Sequence, residues 1–289
     1  MNKERIIGIL LICVSAASFG AMPIFAKIAY QTGTNPISIL FLRFGIAALI
    51  MHIYIWLSHK SYPRGPALFY LFLMGAVGYM GQSFCYFTAL TKIPAGLVAI
   101  LLYLYPALVT VWCMLFLKET ITKQKVIALI LALTGTALVV EIQFSTNVLG
   151  ILLGVGSALI YSVYIVAGSK VMRDIEAFSA SAIIITSAGM VYAGLVFFQG
   201  PKFPQTSLGW VMTLAIAVIS TLVAIVTFFA GLKRIGAVNA SMISTLEPPV
   251  TVALAILFLD ERLTLIKLLG GLLIIGAAFI LAKNENASA

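Results

Sequence analysis

Ten runs of apolar residues, each close to twenty long, leave this 289-residue chain few folds to choose from. They lie at about 6–28, 37–57, 67–90, 94–117, 124–141, 148–169, 178–199, 208–231, 238–259 and 264–282. A hydrocarbon core ~30 Å thick takes about 20 residues of α-helix to cross. Short breakers divide the runs, among them Gly33-Thr34-Asn35-Pro36 and Gly200-Pro201-Lys202-Phe203-Pro204. The third and fourth runs are parted only by Thr91-Lys92-Ile93-Pro94. Lipid offers no partner to an open backbone group, so the runs are expected to be helices. A β-barrel would need alternating segments of about ten residues, and no such alternation is present.

Composition excludes the soluble classes. Only 9% of residues are charged and 62% are hydrophobic, whereas a soluble domain needs about 25% charged residues to cover its surface. The basic start Met1-Asn2-Lys3-Glu4-Arg5 resembles a signal peptide, but the apolar stretch is too long and ends in no small-x-small cleavage site. A retained first helix is expected. Cys13, Cys85 and Cys113 all lie in apolar runs without paired or metal-ligand spacing, so they read as small buried hydrophobes.

Basic residues orient the chain. With the N-terminus in the cytoplasm, Lys3, Arg5, Lys60, Arg64, Lys118, Lys123, Lys125, Lys170, Arg173, Lys233, Arg234 and Lys283 fall inside, twelve in all. Five fall outside: Lys27, Lys92, Lys202, Arg262 and Lys267. Cytoplasmic loops hold the excess of Lys and Arg, so both termini are expected inside a bacterial cytoplasmic membrane. The net charge of +9 is thus a topology signal. Dispersed in short loops, it forms no basic face for nucleic acid.

An internal repeat organises the chain. Leu90-Thr91-Lys92-Ile93-Pro94-Ala95 matches Leu232-Lys233-Arg234-Ile235-Gly236-Ala237, and Leu104-Tyr105-Pro106 matches Leu246-Glu247-Pro248. Leu115 through Thr122 matches Leu257 through Thr264, and Lys125 matches Lys267. Each pair is 142 positions apart, as 232 − 90 shows. Residues 1–141 and 148–283 are therefore expected to be two copies of one five-helix unit. Five is odd, so the second copy enters the membrane from the opposite side. Inverted repeats of this kind are common in secondary transporters, with the substrate site near the midplane.

Pro106 in the fourth run and Pro248-Pro249 in the ninth are expected helix breaks, because an internal proline removes one backbone hydrogen bond and clashes with the preceding turn. The freed carbonyls must be satisfied by protein or by a wet cavity. The plainer reading is a static kink.

At these residues the sequence resembles a known family. Leu104-Tyr105-Pro106-Ala107 to Leu117-Lys118-Glu119-Thr120-Ile121-Thr122, with its second copy Leu246 to Thr264, is similar to the paired signature of EamA-type transporters of the drug/metabolite transporter superfamily. So is the early run from Lys27 through Pro36 to Arg43. The resemblance implies an all-α membrane protein of ten helices, two inverted five-helix repeats around a central cavity lined mainly by spans 1, 3, 4, 6, 8 and 9. It implies a carrier of small metabolites, commonly an exporter of amino acids or related compounds. Lys170 roughly matches Lys27 but Arg43 has no basic counterpart, so the halves are expected to differ in function.

Helical spacing selects the faces that would line such a cavity. Tyr79, Gln82 and Tyr86 share one face of the third span, and Ser157, Tyr161 and Tyr164 one face of the sixth. Phe19 and Met22 hold the equivalent face of the first span, Tyr103 and Tyr105 belong to the fourth, and Ser244 and Thr245 to the ninth. Aromatic walls with a few hydrogen-bonding tips suit a mid-sized, partly apolar solute. The rival reading is polar glue between helices, or an interfacial belt for tyrosines near span ends. Gly75, Gly78, Gly81 and Gly150-x-x-x-Gly154 read as close-packing positions.

Charge inside a membrane is a functional hypothesis by default. Glu247 lies about ten residues into the ninth span, the deepest charge in the sequence. It is expected to bind a substrate ammonium, pair with a cation or take up a coupling proton, although its Glu-Pro context also suits architecture. Lys27 and Arg43 flank the first outer loop, where such side chains ordinarily snorkel to the interface.

Other classes lack their signatures. His52 and His59 form no HExxH pattern, and no Gly-rich phosphate loop is present, which speaks against an enzyme or an ATP-driven pump. A channel would show a selectivity filter or charged rings. No metal or cofactor is expected. The expected partners are lipid, a small-molecule substrate and a coupling proton, and the sequence leaves the oligomeric state open. Multidrug or toxic-compound efflux and metabolite uptake are the alternatives, with a non-transporting adaptor behind them.

Overall fold

The structure, a computed structural model, describes residues 3–90, 92–93, 95–140, 147–259 and 264–283. Thr91, Pro94 and residues 260–263 of the repeated motif, and residue 141, lie outside it. Every regular element among the described residues is helical. α1 (Lys3–Gly20) and α2 (Met22–Tyr30) form one broken rod, followed by α3 (Pro36–Leu57). α4 (Pro66–Leu73) continues through a π-helical turn, Met74–Tyr79, into α5 (Met80–Leu90). α6 (Ala95–Leu102) and α7 (Tyr105–Leu117) form a second broken rod before α8 (Lys123–Val139). α9 (Val148–Val171) and α10 (Ala177–Gln199) follow, and α11 (Ser207–Ala217) passes through another π turn, Val218–Val223, into α12 (Ala224–Ile243). A 3-10 turn at Ser244–Leu246 leads to α13 (Glu247–Leu259) and finally α14 (Leu265–Lys283).

Local chemistry sets the helix starts. Asn35 accepts a hydrogen bond from the Ser38 amide at 2.8 Å while Pro36, with no amide hydrogen to waste, occupies the first turn of α3. Asn147 caps α9 through the Gly150 amide at 2.9 Å, and Thr122 and Thr206 cap α8 and α11 in the same way. Between them these caps satisfy amides that lipid would leave bare.

By length and composition, eight stretches of the described residues can cross a membrane. One of them covers 52 residues, Ser207–Phe258, about 78 Å of helix and more than twice the hydrocarbon core. It is interrupted at Gly236, whose φ of 78° and ψ of 166° are open to glycine without strain. α8, at 17 residues, is marginally shorter than those eight. The outer surface is apolar: Phe197 and Phe198 are 83% and 85% exposed. Lipid tolerates such a surface where water does not. The chain is a multi-pass membrane protein.

Packing between the halves follows a pattern. α1 packs on α12, and α5 packs on α9; α3 meets α10, and α8 meets α14. Numbering each half alike, the first helix of either half meets the third of the other, while the second and fifth meet their own counterparts. Small residues allow the approach. A Cβ on Gly135 of α8 would lie 2.6 Å from the Gly270 carbonyl oxygen, and one on Gly270 would lie 2.6 Å from that of Gly135. On the third rod, the continuous run of α4, the π turn and α5, a Cβ on Gly75 would overlap the Ser187 hydroxyl of α10, and Gly78 faces the Tyr164 ring; Gly81 is looser, 3.8 Å from Ile160.

The ends of the bundle are tied differently. Arg5 donates to the Leu281 carbonyl at 2.7 Å, which puts both terminal helix ends on one face. On that face Glu4 pairs with Arg234 at 3.1 Å and Lys60 with Glu176 at 2.5 Å, each pair joining one half to the other. At the opposite end, Thr34 donates to the Lys202 carbonyl at 2.7 Å and the Lys202 amide donates to Ser38 at 2.8 Å.

Candidate functional site

Three helix breaks meet at one place. Pro23 stands in the first turn of α2, Pro106 in that of α7, and Pro248 and Pro249 in that of α13. Proline suits a first turn, where its missing amide costs nothing. Around these breaks lies a cavity of about 650 Å³, within the usual range for small-molecule sites. Phe19, Gly20, Met22 and Pro23 form one wall, and Glu247, Pro248 and Thr251 another. Gln82, Tyr86 and Phe87 of α5 face them, with Tyr103, Tyr161 and Arg43 completing the lining. Val139, Val140 and Lys267 also line the cavity.

The cavity occupies the half of the bundle remote from both termini, since its lining includes the C-terminal end of α8 and the first turn of α14. Toward the terminal face it is floored by aromatic rings. Tyr105 and Tyr161 meet edge to face with centroids 4.8 Å apart, Tyr161 stacks on Tyr164 at 6.0 Å, and Tyr164 touches both Tyr79 and Phe229 at 5.7 Å. Tyr105, Tyr164 and Phe229 are buried. These rings lie between the cavity and the ion-paired face.

Glu247 and Arg43 border the same space without meeting. Glu247 is the first residue of α13, and its Oε2 accepts a hydrogen bond from the Tyr103 hydroxyl at 3.2 Å. Among the described residues it forms no ion pair with Arg43 or Lys27. Arg43 does not snorkel as its position in the sequence led one to expect. It is buried at 2% exposure, donating from Nε to Thr221 Oγ1 at 2.6 Å and from Nη2 to the Tyr79 hydroxyl at 2.7 Å. The reason is geometric: α3 is covered on this side by the third rod and α11, so the guanidinium finds hydroxyls nearer than headgroups. Lys27 is exposed.

Of the residues singled out by helical spacing, Phe19, Met22, Tyr79, Gln82, Tyr86, Tyr103, Tyr161 and Glu247 border the cavity. Several others do not. Ser157 is buried behind the wall, accepting from Gln82 Nε2 at 3.3 Å. Tyr105 donates to the Ser241 carbonyl at 3.3 Å and Tyr164 lies in the floor. Thr245 spends its hydroxyl on the Met242 carbonyl at 2.6 Å, and Ser244 is buried. Pro106 and Pro249 start helices without bordering the space. Span 8, expected to line the cavity, touches it only through the Thr221 bond to Arg43, while span 2 and the ends of spans 5 and 10 contribute directly.

Sequence reasoning missed Pro23, Thr221, the two π turns, and the lining contributed by Phe87, Thr251 and the ends of spans 5 and 10. Pro23 was legible as a further proline in an apolar run, beside Pro106 and Pro248-Pro249. The π turns had no signal in residue type, and Thr221 none apart from being a hydroxyl.

Comparison with known proteins agrees with this geometry. The profile of the EamA-like transporter family matches residues 6–141 and again residues 148–283. The uncharacterized transporter YcbK of Bacillus subtilis (strain 168) is 27% identical over 285 residues, covering 93% of this chain and 90% of its own length. An uncharacterized transporter of Archaeoglobus fulgidus is 26% identical over 275 residues, covering 90% and 94%. A solved crystal structure superposes with a TM-score of 0.85 over 94% of this chain and 95% of its own, at 19% identity, and so shares the fold. With one profile matched in each half, the chain belongs to the EamA-like transporter family and is a membrane transporter.

Proposed function

We propose that this transporter carries a small organic metabolite, an amino acid or related compound, out of the cytoplasm by alternating access. The observation that carries the reading is the cavity itself. It is walled by broken helices, bordered by a carboxylate and a guanidinium, and closed on one side by an aromatic floor and two ion pairs that join the halves. Such a site presents one path while the other is sealed, as alternating access requires. The interruption at Gly236 and the apolar length of α8 favour ten crossings. Reciprocal packing of the halves favours two inverted five-helix repeats. The excess of Lys and Arg on the face holding the termini favours a cytoplasmic location for that face in a bacterial cytoplasmic membrane. On that orientation the cavity opens outward.

Unpaired opposite charges in one lining favour a zwitterion over a purely lipophilic drug. Glu247 is the candidate for a coupling proton or a substrate ammonium. The test is a metabolite profile of cells with and without the protein, then flux of the leading compounds in liposomes. Glu247→Gln should impair saturable flux while leaving membrane insertion intact. Transport kinetics unchanged across pH would remove Glu247 from the mechanism, and no flux of any compound would refute carriage.

A further inference from the structure

Arg43 bears a charge with no ion-pair partner among the described residues. It is 2% exposed inside a membrane-spanning bundle, where an uncompensated charge is costly. Its bonded neighbours, Thr221 and Tyr79, are neutral hydroxyls. The rings of Phe44 and Tyr79, with centroids 4.8 and 5.7 Å from Cζ, make its position tolerable without cancelling the charge. A guanidinium has five N–H donors, and the two bonds occupy only part of that set while the group borders the cavity.

Its supports are built in. Tyr79 ends the first π turn and Thr221 sits inside the second, one from each half of the chain. π turns inside α-helices are rare and recur at functional sites. Thr221 donates its own hydroxyl hydrogen to the Ile216 carbonyl at 2.8 Å, which leaves its oxygen lone pairs for Arg43. The side chain is therefore clamped from both repeats with its remaining donors available to the cavity.

Resting on the reading of this space as a substrate cavity, we infer that Arg43 is its anion-recognising residue, oriented by Tyr79 and Thr221 to receive the carboxylate of an organic solute. The planar fork matches a carboxylate in two-point fashion. A dianionic phosphate would call for a second free cation, and the other cation of the lining, Lys267, is already engaged. The anion would supply a directly bonded counter-charge, which Glu247, held by Tyr103 across the cavity lining, does not.

The experiment is thermal unfolding of the purified protein in detergent, titrated at constant ionic strength with sodium benzoate, benzamide or inorganic phosphate. Benzoate should raise the melting temperature with saturation, and the neutral amide and phosphate should not. Arg43→Gln should weaken benzoate by about tenfold or more, since a charge-assisted bond is lost, and Arg43→Lys should restore part of it. Thr221→Val and Tyr79→Phe should each weaken it severalfold while leaving benzamide unchanged, a ratio that general destabilisation does not move. No benzoate effect in the wild type, an equal effect of benzamide or phosphate, or an undiminished effect in Arg43→Gln overturns the inference. Should Arg43→Gln fail to fold, the wild-type comparison and Thr221→Val still decide. Flux is measured separately: absent flux with the benzoate effect intact refutes carriage alone, and the converse refutes the anion site alone.

Discussion

The α8–α14 crossing allows a prediction whose sign differs between glycines inside the crossing and glycines outside it. In Gly135→Ala the new Cβ would sit 2.6 Å from the Gly270 carbonyl oxygen, 2.8 Å from Ile274 Cγ1 and 3.1 Å from the Ile274 amide nitrogen. Close C···O approaches begin at about 3.3 Å, so the helices must part by roughly 0.7 Å. Two of the obstacles are backbone atoms and cannot swing aside. Overpacking of this kind costs about 1–3 kcal/mol, while alanine's better helix propensity returns about 0.8–1 kcal/mol. A net loss of roughly 1 kcal/mol is expected from those two terms. Gly271 and Gly276, also on α14, have nothing within 4 Å of a built Cβ. Their alanine variants should gain the propensity alone, up to about 1 kcal/mol. In Gly135→Ala/Gly270→Ala the losses should sum to less than their total, because one separation relieves both clashes. The assay is unfolding of the purified protein by SDS titration in mixed micelles, followed by circular dichroism. If Gly135→Ala is stabilised as much as Gly271→Ala, the crossing is not close-packed and the reasoning fails.

Two further outcomes concern the ends of the bundle. Desolvation pushes Glu176 up, but the Lys60 ammonium and the Ser179 hydroxyl outweigh it and hold it below the usual 4.5, while the Glu176 bond raises Lys60 above the usual 10.5. Their tie is therefore complete between those pH values, fading as pH falls through the depressed Glu176 value or rises through the elevated Lys60 value. So exposed a pair contributes about 0.2–1 kcal/mol. Lys60→Gln should accordingly raise thiol labelling of Met172→Cys, a site 1% exposed behind that face, by about 1.5- to 5-fold at neutral pH; an unchanged rate refutes a closing role. Without the native cysteines, Ser61→Cys and Lys202→Cys should label from opposite sides of the membrane, and labelling from one side only would contradict the proposed topology.

Features that depend on near neighbours in the chain were legible. Asn35, Thr122, Asn147 and Thr206 stand where helices start because a cap bonds an amide three residues away. Pro106 and Pro248 mark helix starts for an equally local reason. Glu247 announced itself as a carboxylate in an apolar run. Arg43 gave no comparable sign. At seven residues from the start of α3 it was as compatible with a headgroup as with a cavity, and the deciding hydroxyl, on Thr221, is 178 residues away.

By itself the sequence determined the solvent, the helical runs, their ends and the resemblance between the halves. Which face of each helix turns inward was settled only by tertiary structure. In a soluble helix the apolar stripe marks the buried side, but lipid is as apolar as leucine, so these nearly uniform helices carry little such mark. Gly75 against Ser187, the π turns at Tyr79 and Thr221, and the burial of Arg43 between them exist only once the rods have met.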